Sequence, residues 1–327
     1  MSGLYPLKFK PIFLEKIWGG QRIKTILNKD FGNLKNCGES WEISGVEDMI
    51  SVVSNGYLEG NDLSELIEIY MGDLVGEKVY EKFGTEFPLL IKFIDANDDL
   101  SVQVHPNDEL SKERHNAFGK TEMWYVADAA PGSLINSGFK QPVDKVKYLE
   151  YFEKGQLIDL LKYDEVKTGD VFFIPAGRIH AIGKGCMVAE IQQTSDVTYR
   201  IFDYNRTDDK GNLRELHTKL AIDAIEYNWQ EDYKTHYQPE LNKSIEIVSC
   251  KYFTTNILEF DSHLEKDYHK IDSFVIYMTL EGDFEIETEE GTEKVSKGET
   301  VLIPASIESL QLKPLSGNVK LLEVYIK

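Results

Sequence analysis

The chain has 327 residues, which is more than a single hydrophobic core usually holds, so two structural units are expected. Its 36 basic and 56 acidic residues give a formal net charge of −20, which argues against nucleic acid as a partner. An anionic small molecule is not excluded, but its binding would require a local cluster of basic side chains.

The first third of the chain predicts short strands and one helical segment. Residues 1–60 combine short apolar runs with glycine turns, which is typical of strands. In the segment 61–84, apolar side chains recur at helical spacing, namely Leu63, Leu66, Ile67 and Tyr70. Residues 87–96 and 100–108 predict two strands, and Pro106 ends the second because proline cannot donate to a strand ladder.

The middle of the chain alternates strands with helices, and its end is almost entirely strand. Strands are predicted at residues 122–129, 171–175 and 186–193, and helices at 107–116, 143–163 and 214–229. The polar, proline-containing segment 233–243 is the predicted linker. Short strands then follow closely to the last residue, which predicts an antiparallel barrel or sandwich of ~85 residues.

One phrase occurs twice in the chain. Residues 171–183 are VFFIPAGRIHAIG and residues 301–310 are VLIPASIESL, and in both copies a glycine-acid pair stands before the strand. The repetition favours two related β-barrel units in tandem. On this alignment His180 falls opposite Ser309, so the histidine is not needed to build the turn.

The three cysteines, Cys37, Cys186 and Cys250, are far apart and show no metal-binding spacing. Reduced thiols in the cytoplasm are therefore expected. The first residues lack the long apolar region of a signal peptide, and no stretch reaches the ~18–20 apolar residues of a membrane span. We accordingly expect a cytoplasmic protein without a membrane partner.

Four polar residues of the first unit have the composition of a metal site. Gln103 and His105 lie two positions apart on one strand and therefore point to the same face. Glu122 opens the next strand, and His180 follows the proline that ends another. Two imidazoles, a carboxylate and an amide oxygen suit Zn²⁺ with open positions for water or substrate. Each residue alone has an ordinary structural explanation, whereas the set on neighbouring strands favours a metal.

Several segments resemble the class I mannose-6-phosphate isomerases in their shorter bacterial form. The segments are WGG near residue 18, GESWEIS (38–44), QVHPND (103–108), GKTEMWYV (119–126), IPAGRIHAIG (174–183) and AEIQQTSDVTYRIFDYNR (189–206). The resemblance runs from about residue 5 to the end. It implies a mainly β fold of tandem cupin (jelly-roll β-barrel) domains with helical inserts at about 61–84, 143–163 and 214–229. The catalytic cupin would span 1–238, and a degenerate cupin 239–327.

The resemblance also implies roles for particular residues. His105, Glu122 and His180 match the zinc ligands of the family, with one zinc per chain, and Gln103 matches a glutamine that ligates zinc in longer members. The catalytic candidates are Arg200, at the position of an active-site arginine, and Lys120, at the position of a pocket lysine. Thr121 stands where the family commonly has proline, and we expect little consequence because the spacing of its neighbours is kept.

The implied activity is the reversible interconversion of mannose 6-phosphate and fructose 6-phosphate through an enediolate. Such a site must stabilise an oxyanion and supply a proton acceptor, for which Lys120 and Arg200 are both candidates. Arg178, Lys184 and Arg206 lie near the motifs and are candidates for phosphate contacts. Two alternatives stay open: an Fe(II) cupin oxygenase, which uses two histidines and a carboxylate, and a non-catalytic sugar-binding cupin.

Overall fold

The computed structural model describes residues 3–207, 211–315 and 317–327, and strands account for most of its regular structure. The strands of the N-terminal part are Leu7–Lys8 (β1), Ile12–Leu14 (β2), Glu39–Ser44 (β3), Leu89–Asp95 (β4), Val102–Val104 (β5), Glu122–Ala129 (β6), Leu134–Phe139 (β7), Leu161–Glu165 (β8), Val171–Ile174 (β9), Ala181–Ile182 (β10), Cys186–Gln193 (β11) and Tyr199–Phe202 (β12). The C-terminal strands are Lys243–Ser249 (β13), Thr254–Phe260 (β14), Leu264–Asp267 (β15), Val275–Glu281 (β16), Phe284–Thr288 (β17), Gly291–Val295 (β18), Thr300–Ile303 (β19), Ser309–Pro314 (β20) and Val319–Tyr325 (β21).

Short helices connect these strands. They are Arg22–Thr25 (α1), Leu63–Tyr70 (α2), Gly72–Val75 (α3), Glu77–Phe83 (α4), Asp108–His115 (α5), Lys145–Glu153 (α6) and Thr218–Ala224 (α7), with a 3₁₀ helix at Leu157–Leu160. Within the described residues, no helix combines the length and the apolar character needed to cross a membrane.

A six-stranded antiparallel sheet, which we call the first large sheet, forms one wall of the N-terminal unit. Its strand order is β2-β3-β4-β11-β6-β9. The central strands β4 and β11 are buried along their whole length, which is why both appear in the sequence as nearly continuous apolar runs. Polar residues interrupt these runs at Lys92 and Glu190, which lie directly opposite each other in the ladder.

The two faces of the first large sheet serve different purposes, because successive side chains of a strand point to opposite sides. One face, represented by Ile91 and Phe93, belongs to a hydrophobic core that also contains Ile257, Ile276 and Leu322 of the C-terminal unit. The other face points into the first barrel and carries Lys92, Glu122 and Glu190. The two units are therefore joined through an apolar core, and the polar face is left inside the first barrel.

The opposite wall of the first barrel consists of β10-β7-β8 and the pair β12-β5, linked by a bridge between Gln103 and His180. Val102 and Val104 of β5 and Ile201 of β12 lie in a second hydrophobic core together with residues of α6 and α7. Their neighbours Gln103 and Arg200 pair across the β5–β12 ladder and face the other way. The helices therefore cover the outside of this wall and leave its polar residues facing the barrel.

The C-terminal unit repeats the two-walled arrangement. Its second large sheet has the order β1-β19-β16-β21-β14-β13, and the facing sheet has the order β15-β20-β17-β18. Strand β1 belongs to this unit by pairing although it comes from the start of the chain, with Leu7 opposite Leu302. The domain boundary between residues 238 and 239 stays a prediction.

The segment 61–84 is helical, but it forms three helices instead of one. Met71 and Gly76 break the periodicity, since both have positive φ angles, 48° and 95°. A Cβ atom at Gly76 would lie 2.5 Å from the carbonyl oxygen of Asp272, so only glycine fits against the C-terminal unit there. The side chain of Asp272 accepts hydrogen bonds from the first amides of α4. Contact with the second unit thus sets these helix ends.

The other two helical inserts are shorter than the sequence pattern predicts. In the segment 143–163, α6 ends before Gly155, which has a φ of 68°, and residues from Leu161 onward form strand β8. In the segment 214–229, only Thr218–Ala224 is helical. The residues before α7 instead bond to β12, where the carbonyl of Glu215 accepts from the Arg200 guanidinium. Tertiary hydrogen bonds therefore override helical propensity on this side of the barrel.

Candidate metal centre and active site

The repeated phrase occupies the same place in both barrels. In the first unit Glu122 of β6 lies opposite Ile174 of β9, and in the second Val275 of β16 lies opposite Ile303 of β19. Because Ile174 and Ile303 are the repeated residues, Val275 holds the position of Glu122. The carboxylate is therefore replaced by an apolar side chain in the second barrel.

The histidine positions correspond in the same way. His180 bridges to Gln103, and its counterpart Ser309 pairs with Asp267. Gln103 and Asp267 therefore hold corresponding positions. His105 lies two residues after Gln103 and His269 lies two residues after Asp267, so these two histidines also correspond. The His269 side chain is 74% exposed and is paired with a surface glutamate. The second barrel thus keeps the strands of the repeat but not a converging set of metal-binding side chains.

His105, Glu122 and His180 converge inside the first barrel, as the sequence pattern predicts. One potential ligand atom from each lies within 4.8 Å of the others, and all three side chains are buried. The Nε2 atoms of the histidines are 3.1 Å apart, and each lies about 3.5 Å from a Glu122 oxygen (3.4 Å for His105 and 3.5 Å for His180). Such a group of nitrogen and oxygen donors is the kind that holds Zn²⁺.

The Nδ1 atoms of the two histidines determine which ring nitrogen is free to bind a metal. Nδ1 of His105 donates to the carbonyl of Val197 at 3.0 Å, and Nδ1 of His180 donates to that of Arg178 at 2.8 Å. Burial, above all, lowers the pKa of both imidazoles. Both Nε2 atoms of the neutral rings then carry lone pairs directed at each other. A cation between them would remove this repulsion, and carbonyl-bonded Nδ1 groups are typical supports of histidine ligands.

Glu122 provides a second indication of a cation. Both carboxylate oxygens are buried and accept no hydrogen bond from the described residues. A buried carboxylate that accepts no hydrogen bond is costly, whereas a metal ion would satisfy both oxygens. The side-chain nitrogen of Lys120 lies 3.5 Å from Oε2. The donors present therefore fit the metal that the resemblance implies, and Lys120 lies next to them.

Gln103 and Arg200 complete the face around the cluster. In the ladder Gln103 stands between His180 on one side and Arg200 on the other, so the three side chains share a face. The Nε atom of Arg200 is buried without a hydrogen-bond partner among the described residues. The structure therefore brings His105, Glu122, His180 and Lys120 together inside the first barrel, and Gln103 and Arg200 share the face of the wall that carries His180.

Three arginines gather beside this face. Arg206 and Arg214 both contact the buried carboxylate of Asp203, with Arg214 at 3.1 Å. Each also lies close enough to Arg200 for its positive charge to lower the pKa of that guanidinium. Burial, followed by the positive charge of Arg214, lowers the pKa of Arg200. Arg178, in contrast, donates to the carbonyl of Phe173 and covers the Tyr233 ring, so it is used for packing.

Lys92 and Glu190 were not predicted as site residues. They form a buried ion pair of 2.6 Å on the polar face of the first large sheet, and Glu190 also accepts from the indole of Trp124. Burial lowers the pKa of Lys92 to about 8, although the charge of Glu39 opposes this shift. The available signal was a single charged residue inside each of two apolar strands, which is costly unless it is paired or functional.

Comparisons with known proteins agree with this geometry. The model of the type I phosphomannose isomerase catalytic domain matches residues 7–132, and that of the mannose-6-phosphate isomerase cupin domain matches residues 243–326. The mannose-6-phosphate isomerase ManA of Bacillus subtilis is 37% identical over 317 residues, which cover 94% of this chain and 96% of that protein. The chain belongs to the type I mannose-6-phosphate isomerase family.

Other members of this family support the assignment. A mannose-6-phosphate isomerase of Streptococcus mutans is 41% identical over 221 residues, which cover 66% of this chain and 68% of that protein. The crystal structure of the mannose 6-phosphate isomerase from Bacillus subtilis superposes with a TM-score of 0.85 at 30% identity, covering 99% of this chain and all (100%) of that one. The predicted mainly β fold of tandem cupins is thereby confirmed.

Proposed function

We propose that the protein interconverts mannose 6-phosphate and fructose 6-phosphate, with one Zn²⁺ held by His105, Glu122 and His180. The observation that carries this proposal is the buried cluster of two histidines and a carboxylate, whose oxygens accept no hydrogen bond from the described residues, with Lys120 beside it. Family membership supports the choice of reaction. Gln103 shares the face of these residues and would offer an amide oxygen as a further ligand.

Isomerisation of an aldose to a ketose moves a proton between C1 and C2 and creates negative charge on oxygen. Bound zinc would supply Lewis-acid stabilisation of that charge. Lys120 is placed to take up and return the proton, because its amine lies beside the donor cluster. Arg200 contributes a fixed positive charge on the same face, and Lys92 is a second buried amine nearby.

The substrate phosphate would bind at Arg206 and Arg214, which lie beside Arg200. Arg206 and Arg214 both contact the carboxylate of Asp203, and Arg200 lies near them, which concentrates positive charge in a protein whose formal charge is −20. The planar guanidinium group of arginine presents parallel N–H donors that match two oxygens of a phosphate dianion. The cluster therefore supplies the local basic site that an anionic substrate needs here.

The Arg214→Gln variant is expected to raise the KM for mannose 6-phosphate by ~10-fold or more while kcat changes little. The reason is that Arg214 would contact the phosphate, and a charge-assisted hydrogen bond contributes ~1.5–3 kcal/mol. Steady-state kinetics and the inhibition constant of inorganic phosphate measure this effect. Lys219→Gln, which removes one positive charge from an exposed position on α7, is the matched control. Equal KM values in the two variants would exclude Arg214 as a phosphate ligand.

The activity itself is tested by a coupled isomerase assay before and after chelation. Purified protein should isomerise mannose 6-phosphate, lose at least ~90% of its activity when the metal is removed, and regain it with Zn²⁺. Metal analysis of protein purified without added metal should give one zinc per chain. Iron with oxygen consumption and no isomerisation would identify an oxygenase, and sugar phosphate binding without turnover would identify a binding protein.

We also propose a cytoplasmic location. Cys37, Cys186 and Cys250 are all free thiols, and burial raises the pKa of Cys37 and of Cys186 to about 11. Free, unreactive thiols fit a reducing compartment. A small sugar phosphate is the partner that the site fits, and the excess of acidic residues disfavours nucleic acid.

A further inference from the structure

A chain of hydrogen bonds runs from the C-terminal unit to the segment that carries Lys120 and Glu122. Tyr252 donates its hydroxyl to Oδ2 of Asp108. Oδ1 of Asp108 accepts from the side-chain amide of Gln193 at 2.9 Å. The amide oxygen of Gln193 in turn accepts from the backbone N–H of Thr121 at 2.9 Å. Each polar group of the Gln193 side chain thus has a partner of the correct type, so its orientation is fixed.

Thr121 is held from several directions. Its carbonyl accepts from the backbone of Gln193, and its hydroxyl oxygen accepts from the backbone N–H of Ala176 at 3.2 Å. Asp108 also accepts from the backbone N–H of Gly119 at 3.1 Å. Since side chains alternate along an extended segment, Thr121 points away from the face to which Lys120 and Glu122 point. These hydrogen bonds therefore hold the segment from the side opposite to Lys120 and Glu122.

The same contacts connect the segments that carry the three clustered residues. Ala176 belongs to the turn that precedes His180, and the next residue, Gly177, donates to the carbonyl of His105 at 2.8 Å. The Thr121 hydroxyl thus ties the Glu122 strand to the turn, and the turn is tied to His105. A shift of Thr121 would be transmitted to all three segments.

One of these hydrogen bonds requires a hydroxyl at position 121, and another requires a backbone N–H there, which every residue except proline has. Family members commonly have proline there, and proline has neither an N–H for Gln193 nor a hydroxyl for Ala176. We expected little consequence from this difference because the spacing of Lys120 and Glu122 is kept. The structure instead gives Thr121 a set of contacts that proline cannot form.

We propose that Thr121 and Gln193 are positioning residues, which hold Lys120 and Glu122 in place through the hydrogen bonds described above. Asp108 and Tyr252 extend this hold to the C-terminal unit. The proposal rests on the proposed isomerase function for its catalytic readout, but metal affinity provides a readout that is independent of turnover. It gives the second barrel a role at the site of the first, although the described residues of the second barrel contain no such cluster.

The test compares Thr121→Val, Thr121→Ser, Gln193→Ala and Tyr252→Phe. Zinc affinity of the metal-free protein is measured by competition with a chelator, and kcat and KM are measured for mannose 6-phosphate. Thr121→Val and Gln193→Ala should weaken zinc binding and lower kcat by ~10–100-fold each, as removal of supporting groups does at metal sites. KM should change little, because the arginine cluster lies on other segments. Thr121→Ser keeps both links and should match the wild type.

Tyr252→Phe removes only the hydroxyl from the second unit, so a smaller loss of zinc affinity and kcat, ~3-fold, is expected. Thr279→Val is the matched control for Thr121→Val, because it makes the same substitution at another buried threonine. Its hydroxyl is buried in the C-terminal unit and has no partner in the described part of the chain, so zinc binding and kcat should stay at wild-type values.

The outcomes separate the two proposals. Wild-type zinc affinity and kcat in both Thr121→Val and Gln193→Ala would overturn the positioning role, and wild-type values in Tyr252→Phe would overturn the extension to the second unit. A wild-type protein that binds zinc but does not isomerise would contradict the proposed function. The zinc affinities of the variants would still decide the positioning role in that case.

Discussion

His180→Ala should lose both its zinc and its isomerase activity, whereas Ser309→Ala should lose neither. His180 is one of three residues whose donors converge inside the first barrel, and its Nε2 lies 3.1 Å from that of His105. Removal of a ligand should weaken zinc binding by more than the ~10–100-fold lost when a supporting group is removed. Ser309 holds the corresponding position in the second barrel, where Val275 replaces the carboxylate.

Metal content per chain and the coupled isomerase assay measure both variants under the same conditions. Circular dichroism and thermal unfolding establish that the His180→Ala protein is folded, which is needed because His180 is buried against the Trp124 ring. A folded His180→Ala protein that keeps a full complement of zinc but is inactive would show that His180 is not a ligand. Loss of activity in Ser309→Ala would show that the second barrel has a catalytic part.

The cluster could be predicted from the sequence because its residues follow simple periodicity. Gln103 and His105 lie two positions apart on a strand, and His180 stands in one copy of a repeated phrase but not in the other. Alternation along a strand and comparison of the two copies are enough to separate these side chains from residues that only build the fold. The structure then brings His105 and His180 together with Glu122.

Lys92, Glu190 and Arg214 could not be predicted as site residues from the sequence, because their positions depend on pairing between distant segments. Lys92 and Glu190 lie opposite each other only after β4 and β11 have paired. Arg214 donates a hydrogen bond to Asp203, a contact that no local sequence pattern specifies. Local patterns contain no information about which strand will face which, or where a loop returns.

The two barrels also share a buried carboxylate on the polar face that does not depend on the metal site. Glu323 pairs with Tyr277 in the second unit as Glu190 pairs with Trp124 in the first, and both carboxylates are buried. In the second barrel Glu323 accepts hydrogen bonds from Tyr268 and from the side-chain amide of Asn256. A buried carboxylate at this position is therefore compatible with the barrel alone, whereas the converging histidines distinguish the first unit.

Arg200→Ala should lower kcat by ~10²–10³-fold while the protein keeps its zinc. The fixed guanidinium lies on the same face as Gln103, and its buried Nε has no hydrogen-bond partner among the described residues, so it is available to stabilise charge that develops on the substrate. Loss of one such preorganised donor typically costs ~10²–10³ in kcat. Arg200→Lys should recover only part of the rate, because an ammonium cannot reproduce the planar fork of donors.

Comparison with the other variants makes this result specific. His180→Ala should be inactive through loss of metal, and Arg214→Gln should have a raised KM, whereas Arg200→Ala should combine full zinc content with a low kcat. Steady-state kinetics on protein of measured zinc content distinguish the three cases. If Arg200→Ala turned over mannose 6-phosphate near the wild-type rate, the charge that stabilises the enediolate would have to come from elsewhere on the polar face. Lys92 and Lys120, both buried there, would then be the groups to replace next.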